Sequence, residues 1–118
     1  MSTKNIYHNG RLLIPNAKWC ATFASKFRGF MLHAPITPAE ALVLVEKREN
    51  KLNTAIHMLF MRFDLGVVWV NGRGQVVDKT LAKRWRLQYS PTAPAQYVIE
   101  MHPSLLEVVQ VGDGIEFR

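Results

Sequence analysis

The sequence predicts a mainly β fold, arranged as a compact antiparallel barrel or a jelly-roll-like sandwich with one or two short helices. Short apolar runs recur along the chain, and turn signals rich in Asn, Gly and Pro separate them at regular spacing. The length of 118 residues, of which 48% are hydrophobic, suits one domain with a core of its own. We therefore expect residues 1–118 to form a single domain.

Two Asn-Gly pairs predict β-hairpins. Asn9-Gly10 lies between the apolar runs 6–7 and 12–14, and Asn71–Gly74 separates the run 67–70 from 75–77. Both central residues of a type I′ turn have positive φ, which Asn tolerates and Gly adopts freely. We expect a tight turn at each position, with an antiparallel strand on either side.

The chain between the hairpins carries mixed signals. Phe27, Phe30 and Met31 have the spacing of one helical turn that covers an edge of the core. The stretch Thr37–Glu40 is a capping-box pattern with Pro at the first helical position. Its helix must be brief, because residues 41–45 read as a buried strand. The charged run 46–51 is interpreted as a solvated loop.

The C-terminal third predicts a loop and two strands. Pro91 and Pro94 make the stretch around them a loop or a sheet edge. Residues 96–101 then resume β character, and Gly112–Gly114 forms a turn before the closing strand 115–117.

Charge and cysteine content limit the functional classes. Fifteen Lys and Arg against nine Asp and Glu give a formal net charge of +6, so the surface should attract anions, and more weakly as salt rises. The single Cys20 excludes an intramolecular disulfide and supports a zinc site poorly, and the histidines lack metal spacing. We predict no metal and no other cofactor.

The absence of a signal-peptide pattern and of a long apolar run predicts a cytoplasmic protein without a membrane span.

The stretch IHMLFMRFDLGVVWV, residues 56–70, places three polar residues in an apolar segment. In an extended strand, His57 would share the apolar face, and Arg62 and Asp64 would lie on the other, roughly 7 Å apart. Gly66 would let a ligand or another backbone approach. The simpler interpretation is a half-exposed Arg62–Asp64 ion pair, worth about 0–1 kcal/mol, and a hydrogen-bonded core histidine.

Our leading hypothesis is a non-catalytic binding or interaction module. It would take a small polar ligand or a peptide on a β face around His57, Arg62 and Asp64, because a few converging polar groups in apolar surroundings fix the orientation of a ligand. Arg62 would bind an anion or carboxylate, and Asp64 would accept hydrogen bonds from hydroxyl or amine groups. A wholly structural role, such as an assembly subunit that binds a protein partner along an exposed sheet edge, is another hypothesis.

The stretch KTLAKRWRLQY, residues 79–89, carries a second hypothesis. Single-stranded nucleic acid binds to cations that contact its phosphates and to aromatic rings that stack on its bases. The residues of that hypothesis are Lys79, Lys83, Arg84, Trp85, Arg86 and Tyr89. The simpler interpretation has the aromatic rings packed inward and the cations in solvent, and we rank it ahead.

A hydrolase-type enzyme with carboxylate or His catalysis is a third hypothesis, for which the sequence offers no catalytic constellation. No local pattern proposes a Ser, Thr or Cys within hydrogen-bond reach of a base, and Cys20 in a predicted strand is interpreted as an inert buried thiol. No phosphate-binding loop is present. The carboxylates Asp64, Asp78, Glu100 and Asp113 become candidates only if the fold brings two of them together.

Several separated motifs give the chain a resemblance to a known family. Arg28–Met31, the run 41–44, the central segment 56–71, Tyr97–Met101 and Val111–Asp113 resemble, in this order, the domain-of-unknown-function 192 family. The resemblance runs from about residue 22 to 117 and implies a small, mainly β, barrel-like or jelly-roll-like domain without an established activity.

The chain departs from that family at two places. Asp64-Leu65-Gly66 stands where the family commonly has a Pro-hydrophobic-Asp step, and Met101–Ser104 stands where it often has a Gly. The first departure shifts the carboxylate by two residues, and the second changes the residues of the turn after the strand.

Overall fold

The structure is a computed structural model that describes residues 2–22, 30, 34–58, 60–86 and 88–118. Its elements are β1 (Thr3–His8), β2 (Arg11–Cys20), β3 (Ala41–Asn50), β4 (Leu65–Val70), β5 (Val76–Ala82), β6 (Ala95–Met101), a 3₁₀ helix (Pro103–Glu107) and β7 (Ile115–Phe117). The predicted mainly β class is confirmed. The helical turn expected at Phe27 and Met31 lies outside the described residues.

The seven strands form one sheet in the order β5-β4-β6-β3-β2-β1-β7. Every neighbouring pair is antiparallel except β2 and β3, which are parallel. The expectation of a wholly antiparallel arrangement is therefore wrong at this pair. Residues 21–40 connect the two strands, and such a connection is long enough for the crossover that parallel neighbours require.

The two edge strands meet at one point, so the sheet curls towards a barrel without closing. Gln75 and Gly114 form an isolated antiparallel bridge. Next to it, the Val76 amide donates to the Asp113 carbonyl at 2.9 Å, and the Gly112 amide donates to the Val76 carbonyl at 2.8 Å. These bonds join the start of β5 to the turn before β7.

Both predicted hairpins are confirmed, but only the first has the type I′ turn expected at each, since neither Asn71 nor Gly72 has a positive φ. Asn9 and Gly10 have φ values of 48° and 84°, as a type I′ turn requires. In the second hairpin, the Asn71 side-chain oxygen accepts from the Arg73 and Gln75 amides, each at 3.0 Å. Local turn chemistry therefore determines the connections β1–β2 and β4–β5.

Two predictions for the region around β3 need correction. The capping-box contacts form, because the Thr37 amide donates to Glu40 Oε1 at 3.2 Å and the Ala39 amide to Thr37 Oγ1 at 3.3 Å. They close only one turn before β3 begins, and no helix follows. The charged run 46–51 is also not a loop over most of its length, since β3 continues to Asn50 and pairs there with Ala95 on β6.

The core lies on both faces of the sheet, and β4 shows the division because all six of its residues are buried. The alternation of side chains along a strand sends Val67 and Trp69 to one face and Val68 and Val70 to the other. The first face carries a cluster that we call the covered cluster. Its members include Leu42, Ile56, Met58, Met61, Leu65, Val67, Trp69 and Val98. The second cluster fills the inside of the curled sheet and includes Ile6, Ile14, Val43, Val68, Ile99 and Ile115.

Among the described residues of the central segment 56–70, a strand begins only at Leu65. Before it, the Met61 amide donates to the Met58 carbonyl at 3.2 Å, which makes a turn, and Phe60 has a φ of 61°. The predicted period-two division of His57, Arg62 and Asp64 between two faces is therefore wrong. Met58 and Met61, three residues apart, both pack into the covered cluster, and the chain must turn to bury both.

Candidate binding surface

Two segments that the sequence presents as separate candidates lie side by side in the structure. Ile56 and Tyr89 form a two-way backbone bridge, with N–O distances of 2.8 and 2.9 Å. Further along, the Met58 amide donates to the Arg86 carbonyl at 2.9 Å, and the Trp85 amide donates to the Met58 carbonyl at 2.7 Å. We call the described residues of 56–64 and 83–89 the paired-loop surface.

Asp64 organises the second of these loops. Its Oδ1 accepts a hydrogen bond from the Arg84 amide at 2.9 Å, Arg84 Nη1 lies 3.5 Å from the same oxygen, and Lys83 Nζ lies 3.8 Å from Oδ2. The Asp64 side chain is 26% exposed. The expected Arg62–Asp64 pair does not form, because the extended geometry that would create it is absent. Asp64 is occupied by groups of the chain itself.

The other two residues of the leading hypothesis have different environments. Arg62 is exposed, and its guanidinium has no hydrogen bond or ion pair within the part of the chain that the structure describes. His57 is half-buried and directly precedes Met58, which is fully buried. Arg62 is therefore available to an external anion, whereas His57 stands partly inside the fold.

Two aromatic rings stand outward on this surface. Phe60 is 48% exposed and Trp85 is 56% exposed, and their ring centroids lie 5.4 Å apart at an interplanar angle of 62°. This edge-to-face contact is a favourable arrangement of two rings. The expectation that the aromatic residues of segment 79–89 pack inward is wrong for Trp85.

The backbone is strained at both aromatic residues. Phe60 has a φ of 61° and Trp85 a φ of 68°, a left-handed region that bulky residues rarely adopt. Such a conformation costs on the order of 1–3 kcal/mol and persists only where surrounding contacts enforce it. Phe60 was not predicted as a site residue, because an aromatic residue in an apolar run carries no signal that it points outward.

Four exposed cations lie within two residues of Phe60 or Trp85 in the sequence. Lys83 and Arg84 are 56% and 59% exposed, and Arg62 and Arg86 are exposed as well. Tyr89 differs, because it is half-buried against the covered cluster and its hydroxyl accepts from the Lys83 amide at 2.8 Å. It supports the loop from within.

Lys79 does not belong to this surface. Its Nζ donates to the Leu106 carbonyl at 2.5 Å and to Gln110 Oε1 at 3.3 Å. These bonds tie β5 to the end of the 3₁₀ helix, where backbone carbonyls lack partners. The prediction of Lys79 as a nucleic-acid contact is therefore replaced by a structural role.

The remaining carboxylates have separate environments. Asp78 accepts from the Thr92 amide at 3.0 Å. Asp113 lies 2.7 Å from His8 Nε2, and this hydrogen bond, followed by that from the Gln110 amide, lowers the pKa of the Asp113 carboxyl. Glu100 is only 6% exposed, and burial raises its pKa to about 7.

Two further features concern metal ligands and membrane spans. Among the described residues, no group of three or more His, Cys, Asp and Glu could hold a metal ion, and none of their helices is long and apolar enough to cross a membrane.

At Gly66, a Cβ atom would lie 3.2 Å from the His102 carbonyl oxygen and 3.1 Å from Leu106 Cγ. The group that approaches Gly66 closely is thus the 3₁₀ helix.

Comparison with known proteins places the chain among uncharacterised relatives. The sequence model of the DUF192 family, described as Uncharacterized ACR, matches residues 5–117. A UPF0127 protein of Thermococcus gammatolerans is 39% identical over 105 residues, which are 89% of this chain and 67% of that protein. UPF0127 protein TK1120 of Thermococcus kodakarensis is 41% identical over 97 residues, which are 82% of this chain and 60% of that protein. The chain thus spans about two thirds of the length of these relatives.

A solved structure has the same fold. A protein of unknown function from Novosphingobium aromaticivorans has a TM-score of 0.84 and 14% sequence identity, over 95% of this chain and 83% of that one. At this identity the likeness concerns the fold alone.

Proposed function

Since the chain belongs to the DUF192 family, whose description names no activity, we propose from its own surface that it is a binding module for single-stranded nucleic acid. The observation that carries the proposal is the outward-facing Phe60–Trp85 pair with four exposed cations close to it in the sequence. Aromatic rings stack on bases of any sequence, at about 1–3 kcal/mol per base, and Lys and Arg contact the phosphates.

The strain in the two loops supports this proposal. Hydrophobic burial favours turning Phe60 and Trp85 inward, and the left-handed backbone of each residue adds a further cost. Gly or Asn at these two positions would adopt the same backbone conformation with less strain. Two adjacent rings held outward at such a cost are typical of a site whose partner is a planar apolar group.

Charge supports an anionic partner. Arg62 and Arg86 have no ion pair within the described part of the chain, and Lys83 and Arg84 share the single carboxylate of Asp64. The surface thus retains a local positive charge, in keeping with the formal net charge of +6. Attraction to a phosphate backbone would bring the bases to the rings.

A small polar ligand or a peptide at His57, Arg62 and Asp64 is the second candidate. The exposed guanidinium of Arg62 favours it, because an arginine without a partner can bind a carboxylate in two-point fashion. The contacts of Asp64 with Arg84 and Lys83 weigh against it, since they occupy the group expected to accept hydrogen bonds from the ligand.

The experiment is fluorescence anisotropy with labelled oligonucleotides of about 12 nucleotides, a length within the range that small β domains bind. Wild type is compared with Phe60→Ala and Trp85→Ala, and with Leu52→Ala as the control, because Leu52 is 78% exposed and lies in another loop. We expect each aromatic variant to bind about 10-fold more weakly and the control to bind as wild type does. Trp85→Phe should restore most of the affinity.

The same titration at rising salt completes the test. Affinity should fall steeply with salt, as phosphate contacts require. Binding that is unchanged in the double variant of Phe60 and Trp85 would refute the proposal. A salt-insensitive stabilisation by a small carboxylate, lost in Arg62→Ala, would support the second candidate instead.

A further inference from the structure

A carboxyl group lies buried in the middle of the sheet. Glu100 is in β6, which pairs with β3 on one side and β4 on the other, and its direct neighbours are Leu42 and Val67. Both neighbours belong to the covered cluster. Glu100 is 6% exposed, and burial is the one cause that raises the pKa of its carboxyl from 4.5 to about 7.

No charged group of the described residues compensates this carboxyl. The strand register places Lys18 on β2 one strand beyond Leu42, and it is exposed. His102, two residues after Glu100, has its Nδ1 bound to Ser104 Oγ at 2.8 Å. The other titratable side chains on or beside this face include Asp78 opposite Trp69, the buried Cys20 and His57 next to Met58. Glu46 follows Leu44 by two residues on β3, and Tyr89 packs against the covered cluster.

The same cluster anchors the paired-loop surface. Met58 and Met61 are 0% and 2% exposed and pack into the covered cluster. Phe60 and Arg62, which belong to the proposed binding site, flank Met61 in the chain. A change in this packing that displaces Met61 therefore also displaces Phe60 and Arg62, which are bonded to it in the chain.

We infer that Glu100 is an internal proton switch for the paired-loop surface. The neutral carboxyl is compatible with a dry apolar cluster, whereas an ionised carboxylate without a counter-charge requires water. Ionisation therefore weakens the packing of Met58 and Met61 against the sheet and loosens the loop that holds Phe60. The regulation of binding rests on the proposed function, but the loosening itself does not.

The direction of the pH effect follows from the two states of the chain. The folded state binds the Glu100 proton more tightly than the unfolded state. The contribution of the neutral Glu100 carboxyl to stability is therefore complete below the ordinary pKa. It is lost as pH rises towards the folded value of about 7. Over that interval the unfolding equilibrium constant rises, by up to about tenfold for each unit of pKa difference.

Hydrogen exchange at single amides tests the switch. The amides of Met58 and Trp85 form the bonds between the two loops, and their protection is measured at about pH 5 and about pH 8, after correction for the intrinsic exchange rate. We expect protection to fall by at least about 10-fold at the higher pH in wild type. It should stay constant in Glu100→Gln. Glu107→Gln is the matched control, because Glu107 is exposed, and it should behave as wild type.

Two results would overturn the inference. One is an equal loss of protection in Glu100→Gln, which would assign the pH effect to another group. The other is a carboxyl titration, followed by carbon NMR of the wild-type protein, with its midpoint near the ordinary value of 4.5. The second measurement needs no variant, so it decides the question even if Glu100→Gln fails to fold.

Oligonucleotide binding at both pH values separates the switch from the proposed function. If both hold, wild type binds more weakly at the higher pH, and Glu100→Gln binds equally at both. Glu107→Gln should keep the wild-type pH dependence, because this exposed carboxyl lies outside the covered cluster and the paired-loop surface. If wild type binds no oligonucleotide yet loses amide protection as expected, the proposed function is wrong and the switch stands.

Discussion

The amide of Trp85 donates to the carbonyl of Met58 at 2.7 Å, and this bond joins a buried residue of one loop to an exposed residue of the other. Met58 is fixed in the covered cluster, so the hydrogen bond also fixes where the indole ring emerges. The position of Trp85 therefore depends on core packing as well as on its own loop.

Asp64→Ala should destabilise the loop of residues 83–86. The carboxylate accepts from the Arg84 amide, and loss of this acceptor costs about 1 kcal/mol of unfolding free energy, with about half that for Asp64→Asn. Urea unfolding measures the difference. Because the change also adds positive charge to the surface, oligonucleotide affinity should not fall. A loss of affinity larger than the loss of stability would make Asp64 a direct ligand contact.

Phe60→Gly should be more stable than Phe60→Ala. At an ordinary position a Gly variant has an unfolding free energy about 0.5–1 kcal/mol lower than that of the Ala variant. At a φ of 61° the order should reverse, by about 1 kcal/mol, because only Gly adopts this region without strain. Thermal unfolding of the two variants checks it. The usual order of stability would mean that Phe60 is not held in the left-handed region.

Gly66→Ala should destabilise the whole sheet. The added methyl group would contact the His102 carbonyl oxygen and Leu106 Cγ, and such overpacking costs about 1–3 kcal/mol. Gly114→Ala is the control, since its Cβ atom would meet only Asn9 Oδ1, at 3.7 Å. Equal unfolding free energies of the two variants in urea would contradict the close approach of the 3₁₀ helix.

The His8–Asp113 contact predicts a loss of stability in acid. The folded pKa of Asp113 is lowered, first by the His8 hydrogen bond. Its contribution is therefore present above the ordinary pKa and is lost as pH falls through the lowered value. Unfolding curves between about pH 7 and about pH 2 should show this loss in wild type and a smaller one in Asp113→Asn. Identical acid profiles would exclude the contact as a contributor.

Arg86→Gln should reduce the salt dependence of oligonucleotide binding. Each phosphate contact adds about 1 to the slope of log affinity against log salt. Arg48→Gln is the matched control, because Arg48 is an exposed residue of β3. Anisotropy titrations at several salt concentrations give both slopes. If Arg48→Gln lowers the slope as much as Arg86→Gln does, the positive charge acts as a whole and the paired-loop surface is not the site.

Local signals in the sequence predicted the local parts of the fold. The Asn-Gly hairpins and the buried runs of β3, β4 and β6 were found because turn chemistry and apolar runs are properties of adjacent residues. The parallel pairing of β2 with β3 could not be predicted in this way. It depends on the path of residues 21–40 in space, which no short motif specifies.

The candidate surface shows the same limit. The sequence singled out Arg62 and Asp64 in one segment and Trp85 in another, and the contact between those segments is not local. The outward position of Phe60 follows from the turn that buries Met58 and Met61 together. A strand and such a turn are equally compatible with one apolar run, so the choice between them is made by tertiary packing.

The place of β6 in the sheet has a consequence for the kinetics of folding. β6 lies between β3 and β4 but follows both in the sequence, so these two strands cannot occupy their final distance until it inserts. Until then β4, which is buried along its whole length in the finished sheet, presents an unpaired apolar edge. Such an edge is a template for pairing with another chain. We therefore expect slow folding and aggregation that increases with protein concentration during refolding.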